Sequence, residues 1–333
     1  LKAAILLDKK RIEIRDVPDP KLEEGEVVVK VSSCGICGSD FHAYEGTHPR
    51  ISYPVILGHE LSGTVVYGND EWVGKAVTVD PNISCDSCYY CKAGKRHFCE
   101  NLSSIGINRD GAYAELVKVP VKNLYPIPKG LSFDEAALTE PLSCVIHGLD
   151  LIAPHAGERA LILGAGPVGL MFLQALKGRG ANPVIVSEVD DFRLNFSKRF
   201  CPDAAVNPLE EDLEKEVRYA TDGRGADMVI ETTGKIDVLE RSFDYLAPTG
   251  RLLAFAVYAT GSFARVPMDK IYRYELVMRG SFTNPYTMQR AINAMGSGAI
   301  DVKSIITHII TLGDVEAALS RKIEHTEDIV IHP

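Results

Sequence analysis

Between the apolar run Ala160-Leu161-Ile162-Leu163 and the apolar stretch Leu170 to Lys177 lies Gly164-Ala165-Gly166-Pro167-Val168-Gly169. A short run without polar side chains suits a strand buried on both faces, and the stretch after the turn suits a helix packed over it. The three glycines let the chain reverse tightly, bring its backbone close to a pyrophosphate and pack helix against strand. Pro183 to Ser187 supplies a second strand ending at Glu188, which completes the order strand, turn, helix, strand. The pyrophosphate of a dinucleotide rests on the N-terminus of such a helix. Glu188 follows Gly164 by 24 positions, where an acid binds both ribose hydroxyls of the adenosine half and its charge opposes a 2′-phosphate. NAD is therefore expected rather than NADP, with Arg193 the nearby residue that argues the other way. Gly164, Gly166, Pro167, Val168, Gly169, Glu188 and Arg193 form the expected cofactor site.

The alternation continues beyond this unit. Asp190 is placed to cap a helix, Leu209 to Tyr219 and Leu239 to Leu246 read as helices, and Asp227 to Glu231 and Arg251 to Val257 read as strands. Parallel strands with crossover helices make an open α/β sheet over residues 149–283, and Glu231-Thr232-Thr233-Gly234 and Ala256-Val257 fall at strand ends, where such sheets bind ligands. Residues 1–148 have another rhythm. Short Val- and Ile-rich stretches at 2–7, 26–32, 61–66, 76–79 and 116–119, separated by Pro, Gly and Asp, read as antiparallel strands. Ser132 is an N-cap ahead of a helix that delivers Glu140-Pro141. From residue 284 the chain is expected to return to the first domain, with a helix over Tyr286 to Met295 and a strand at Ile329 to Ile331.

The first domain carries two groups of metal-ligating residue types. Cys37-Gly38-Ser39-Asp40-Phe41-His42, Gly58-His59-Glu60 and Glu140-Pro141 supply a thiolate, an imidazole and carboxylates, which together hold zinc while leaving a position open for water or substrate. Cys37 and His59 are expected as fixed ligands, with Glu60 and Glu140 sharing or exchanging the third protein position. Ser39, two residues beyond Cys37, can take a proton from a bound alcohol, and His42, one helical turn further, can pass it to solvent. The second group is Cys85, Cys88, Cys91 and Cys99, four thiols within fifteen residues of polar, turn-rich chain. Two-residue spacers of this kind point to tetrahedral zinc held by four thiolates in a lobe over about 81–101. The other four cysteines show no pairing pattern and no secretory segment opens the sequence, which favours a reducing, cytoplasmic compartment over disulfides.

In motif order and over essentially its full length, the sequence resembles a zinc-dependent medium-chain alcohol dehydrogenase, most closely the polyol branch with its sorbitol, arabinitol, galactitol phosphate and sugar-acid dehydrogenases. The resemblance implies an α/β protein: a GroES-like, mainly antiparallel β catalytic domain and a Rossmann doubly wound parallel sheet. It implies Cys37, His59 and Glu60 as catalytic zinc ligands, Glu140 as fourth ligand or partner of the zinc-bound water, and Ser39 and His42 as proton relay. Two zinc ions per chain and NAD follow as cofactors, and a polyol or sugar acid as small-molecule substrate. Asn108-Arg109-Asp110-Gly111 and Arg96-His97-Phe98-Cys99 also resemble threonine dehydrogenases, which keeps an amino alcohol as the alternative substrate. A non-catalytic zinc- and NAD-binding relative is the remote alternative. Tyr44, Glu45, His48, Arg109 and Asn284 are candidates for reading substrate hydroxyls, and Arg50 or Arg109 for meeting an anion. The family also implies a homo-oligomer, dimer or tetramer, through the sheet edge of the coenzyme domain, for which Leu253 to Tyr258 is the apolar candidate.

Composition bounds the partners. The 333 residues hold 36 basic and 45 acidic side chains, a net charge of −9, which repels nucleic acid and anionic membrane in the absence of a basic patch. The long apolar run at 160–176 is broken by three glycines and a proline, so no membrane span is expected there.

Overall fold

The computed structural model describes residues 1–333. Contacts along the chain separate Leu1–Ser143, Asn284–Gly298 and Val302–Pro333 from Cys144–Thr283 with Ala299–Asp301. The division falls inside the helix Thr139–Ile152, a few residues before the boundary expected at 148.

The first unit is built on the strand Glu26–Gly35, whose Val27, Val29 and Val31 are buried on one face. It pairs antiparallel with Glu60–Tyr67, Leu116–Pro120 and Asp328–His332 inside a seven-stranded sheet. A three-stranded antiparallel sheet of Arg11–Asp16, Lys2–Asp8 and Val55–Ile56 lies in the same unit, and both sheets contribute to one apolar core. The register of the central pair places Gly35 opposite Glu60. A Cβ on Gly35 would displace the Glu60 carboxylate, so the glycine leaves that side chain its place over the sheet end. Glu60 and Cys37, two residues past Gly35, are thereby brought to the same sheet end. Ser132 caps the helix Phe133–Ala137 with a reciprocal capping box to Glu135, and Glu140 falls in the first turn of the next helix.

The second unit is a six-stranded parallel sheet in the order Ala204–Val206, Val184–Ser187, Ala160–Leu163, Ala226–Glu231, Leu246–Ala254, Val277–Gly280. The order reverses between Ala160–Leu163 and Ala226–Glu231, the switch point at which open α/β sheets bind ligands. This is the GroES-like plus Rossmann architecture that the motifs imply. Two expectations in this unit need correction. Residues 239–246 are not one helix: the helix is Ile236–Arg241, and Leu246 already opens the next strand. That strand runs through Pro248-Thr249-Gly250 with a register irregularity against its neighbour, so turn-forming residues sit inside it as a bulge. Leu253 is fully buried and flanked on both sides by paired strands. The free edge of the sheet is instead Val277–Gly280, exposed along its length. No helix of the chain is long and apolar enough to cross a membrane.

Candidate functional site

Cys37 ends the approach from the central strand and starts the helix Gly38–Glu45; its N–H donates to Asp40 Oδ2 at 2.9 Å. Gly58, at φ +96°, turns the chain ahead of His59 and leaves no room for a side chain between Tyr113 and Cys34. That turn solves the geometric problem of two adjacent ligand-type residues, and one donor atom each from Cys37, His59 and Glu60 lies within 4.8 Å of the other two. Glu140, buried nearby, stands outside this group, although its charge acts on all three residues.

The electrostatics of the group call for a cation. Burial pushes the Cys37 thiol up to about 12, with Asp40 and Glu140 adding to it. Burial also raises Glu60 well above the carboxylate range, with Cys37 next, and raises Asp40 against the pull of His59. Burial draws His59 down, but Asp40, Glu140 and Glu60 outweigh it and leave the imidazole raised. Four acids thus share one enclosed region, and His59 is the only base among the charges that act most strongly on them. A bound dication offsets that excess and returns the donors to their ligating forms, so the residues fit zinc.

Asp40 and Tyr113 also belong to the site, and sequence reasoning gave neither a role. Asp40 is fully buried, and its Oδ2 also accepts from the Tyr113 hydroxyl at 2.9 Å. Its Oδ1 faces His59 Nδ1 at 3.7 Å, and neither atom has another partner. A carboxylate behind a ligating imidazole fixes its tautomer and orientation; the position of Asp40 three residues after Cys37 was the available signal. Ser39 Oγ lies 3.3 Å from His59 Nε2 and favours the ionised Cys37, so its hydroxyl sits among the ligands. His42 is on the same helix, half-buried, with Nδ1 on Thr47 Oγ1 at 3.1 Å; burial, then Arg321, lowers it below the ordinary histidine range. No direct bond joins Ser39 to His42.

The candidates for reading substrate separate cleanly. Tyr44 is buried in the core, Glu45 pairs with Lys10 at 2.8 Å, Arg109 pairs with Glu26 at 3.1 Å, and Asn284 accepts from Asn82 Nδ2 at 2.8 Å. His48 and Arg50 are left, joined by the Arg50 N–H to His48 Nδ1 at 3.2 Å.

Cys85, Cys88, Cys91 and Cys99 present four sulfurs within 4.8 Å of one another. Backbone N–H groups already point at them, from Cys85 to Cys99 at 3.2 Å and from Cys88 to Cys85 at 3.4 Å. The Ser87 hydroxyl and N–H pull Cys85 down to about 5, whereas desolvation and the neighbouring thiols push Cys91 up. One set of sulfurs titrating in opposite directions is a coupled cluster, and a central dication removes the conflict. Lys122 fastens the lobe to the sheet through Ser84 O at 2.6 Å and Asp86 at 2.5 Å.

In the second unit, Gly166 caps the helix Pro167–Gly178, with Pro167 at its first position and Val168 and Gly169 in its first turn. Gly164 has φ +104° and lies against Thr232, whose hydroxyl donates to Leu163 O at 2.8 Å. Glu188 reaches this turn: Oε2 accepts from Ala165 N at 2.9 Å, and Oε1 from Val189 and Asp190 N at 2.8 and 3.0 Å. The Arg193 guanidinium lies beside Gly166. At the end of the neighbouring strand, buried Glu231 accepts from Thr233 N at 2.6 Å, Gly234 N at 3.1 Å and the Tyr258 hydroxyl.

Comparison with known proteins agrees with these features. Residues 23–129 match the alcohol dehydrogenase GroES-like domain and residues 167–297 the zinc-binding dehydrogenase family. An L-threonine 3-dehydrogenase of Pyrococcus furiosus is 37% identical over 311 residues, covering 89% of this chain and 87% of its own. A sorbitol dehydrogenase of Bacillus subtilis is 31% identical, covering 100% of this chain and 97% of its own. A solved zinc-binding dehydrogenase of Sinorhizobium meliloti 1021, bound to NADP, superposes with a TM-score of 0.94 at 33% identity, covering 100% and 99% of the two chains. Matching domains in the same order, over a fold shared from end to end, place this chain in the zinc-dependent medium-chain alcohol dehydrogenase superfamily.

Proposed function

We propose that the protein is an NAD-linked, zinc-dependent oxidoreductase acting on a secondary alcohol of a polyol, sugar alcohol or sugar acid. The observation that carries the reading is the convergence of Cys37, His59 and Glu60 beside the Ser39 hydroxyl. A zinc ion there supplies Lewis-acid polarisation that brings an alcohol oxygen's pKa toward neutrality, and NAD supplies the hydride acceptor. The chain's own groups do the rest. Asp40 orients His59; Ser39 takes the alcohol proton and passes it through an intervening hydroxyl, since no direct bond joins the two, to His42, which is neutral at pH 7 because burial lowers it and releases the proton to solvent. Glu140 is a carboxylate in reserve, near enough to enter the ligand set when a ligand leaves. The four-cysteine lobe holds a second, structural zinc.

Cofactor choice rests on Glu188. Its carboxylate is anchored at the Gly-rich turn, where it favours ribose hydroxyls and opposes a 2′-phosphate, even though the Sinorhizobium relative binds NADP. Threonine remains the second substrate reading, on the strength of the Pyrococcus relative. A homo-oligomer through the exposed edge Val277–Gly280 and a cytoplasmic setting, suited to eight free cysteines, complete the proposal. The test is initial rate with NAD and NADP across sorbitol, arabinitol, ribitol, galactitol, their phosphates, aldonates and L-threonine. A rate on a polyol or aldonate supports the reading; a rate on threonine alone replaces it.

A further inference from the structure

Arg50 is a half-buried guanidinium whose hydrogen-bond partners are all neutral. Its Nη2 donates to Leu102 O at 3.2 Å and to Ser104 Oγ at 3.3 Å, and its backbone N–H donates to His48 Nδ1 at 3.2 Å. The Ser104 hydroxyl gives its own proton to Asn82 Oδ1 at 2.9 Å, which turns its lone pairs toward Arg50. These bonds aim the side chain but leave its charge uncompensated: no carboxylate pairs with it, and burial alone lowers its pKa. Withdrawing a cation from water without an anion is costly, and proteins keep such a group where a ligand completes the pair.

The other arginines of the unit are engaged, Arg290 among them. Arg109 pairs with Glu26, Arg11 and Arg15 with Glu13, Arg96 lies 3.6 Å from Asp80, and Arg321 is exposed with its guanidinium over Phe41. Arg50 is also on the side of the unit where the chemistry lies. His48, to which its backbone is bonded, feels the charges of His59, Arg50 and His42 together. With Nη2 occupied, the Nη1 and Nε donors remain, each able to give a charge-assisted hydrogen bond to a carboxylate or phosphate oxygen.

We propose that Arg50 binds the substrate, and that the substrate is a secondary alcohol carrying an anionic group, carboxylate or phosphate ester, rather than a neutral polyol. The inference rests on the oxidoreductase reading of the same site. It narrows the substrate class from polyols at large to hydroxy anions.

The test is calorimetric titration of the full-length, zinc-loaded protein with NADH present, using D-gluconate, D-sorbitol 6-phosphate and D-sorbitol. The expected result is at least one anion bound about tenfold or more tighter than sorbitol, with the ratio shrinking in salt. In Arg50→Gln that ratio falls to about one, and Arg50→Lys restores part of it; thermal unfolding of both variants checks that they fold. The larger ratio tells carboxylate from phosphate. Equal binding of all three ligands, no binding of either anion, or a ratio that survives Arg50→Gln overturns the proposal. NAD reduction on the same samples separates it from the reading beneath it. Arg50-dependent anion binding without turnover on any alcohol removes the reaction; turnover of sorbitol without anion preference keeps the reaction and removes the anion site.

Discussion

Asp40 Oδ1 faces His59 Nδ1 across 3.7 Å in the buried interior of the first unit, while Asp40 Oδ2 is held by the Cys37 N–H and the Tyr113 hydroxyl. One carboxylate therefore ties the thiol ligand's backbone to the imidazole ligand's far nitrogen. It keeps the proton on Nδ1 and turns the Nε2 lone pair toward Ser39 and the other donors. Asp40→Asn is expected to preserve the fold and lower zinc affinity or turnover by about 10- to 100-fold. Metal competition with a chromophoric chelator measures the first, initial rate the second; unchanged values for both remove Asp40 from the site.

The two metal groups should separate by mutation. Cys37→Ser is expected to drop zinc content from about two per chain to about one and to abolish turnover, with thermal stability retained. Cys91→Ser, in the lobe that Lys122 fastens to the sheet, is expected to cost stability on the order of 2–4 kcal/mol before it affects chemistry. Elemental analysis paired with denaturant unfolding gives both readouts. Normal stability in Cys91→Ser contradicts a structural site.

Glu188 accepts the Ala165 N–H at the Gly-rich turn. Glu188→Ala is expected to weaken NAD and to narrow its advantage over NADP by about tenfold. The ratio of kcat/KM values is the measurement, because loss of a backbone partner alone weakens both cofactors alike. A ratio identical to wild type assigns the choice to another residue.

The Tyr258 hydroxyl, beyond the strand Leu246–Ala254, donates to Glu231, the last residue of the neighbouring strand, at the sheet's ligand edge. Tyr258→Phe removes one donor from a buried carboxylate and is expected to cost about 1–3 kcal/mol. Weaker NADH binding, read by fluorescence, should accompany it. Full stability with normal NADH affinity excludes a role for this bond.

His48 sets an acid limit. Burial first, then the charges of His59, Arg50 and His42, hold it at about 4, against 6.5 unperturbed. The unfolded chain then binds the extra proton between those values, so stability is lost as pH falls from about 6.5 to about 4. A zinc ion near His59 acts in the same direction. His48→Gln should flatten this limb in pH-dependent unfolding; an unaltered limb assigns it to other groups.

What the sequence disclosed and what it withheld follow from the range of the forces involved. The Gly-rich turn, the capped helix after Ser132 and both ligand groups are set by local spacing and are legible residue by residue. Asp40 carried a signal, but its partner Tyr113 lies 73 positions away and meets it only through the packing of the β unit. The buried state of Leu253 likewise depends on the strand Val277–Gly280 pairing outside it, a long-range event that an apolar run does not reveal. Arg50 and Arg109 look alike in sequence, and only the placement of Glu26 separates a paired guanidinium from an unpaired one. Glu60 and Glu140 were equivalent candidates until the register of Gly35 against Glu60 put one of them in the group.

The most direct measurement of the central claim follows NAD reduction on one accepted secondary alcohol while zinc is removed by a chelator and restored. The account predicts that the rate falls to background as the site of Cys37, His59 and Glu60 empties, with the four-cysteine zinc still bound. It also predicts that the rate returns in proportion to zinc restored there. A rate that persists with that site empty contradicts it.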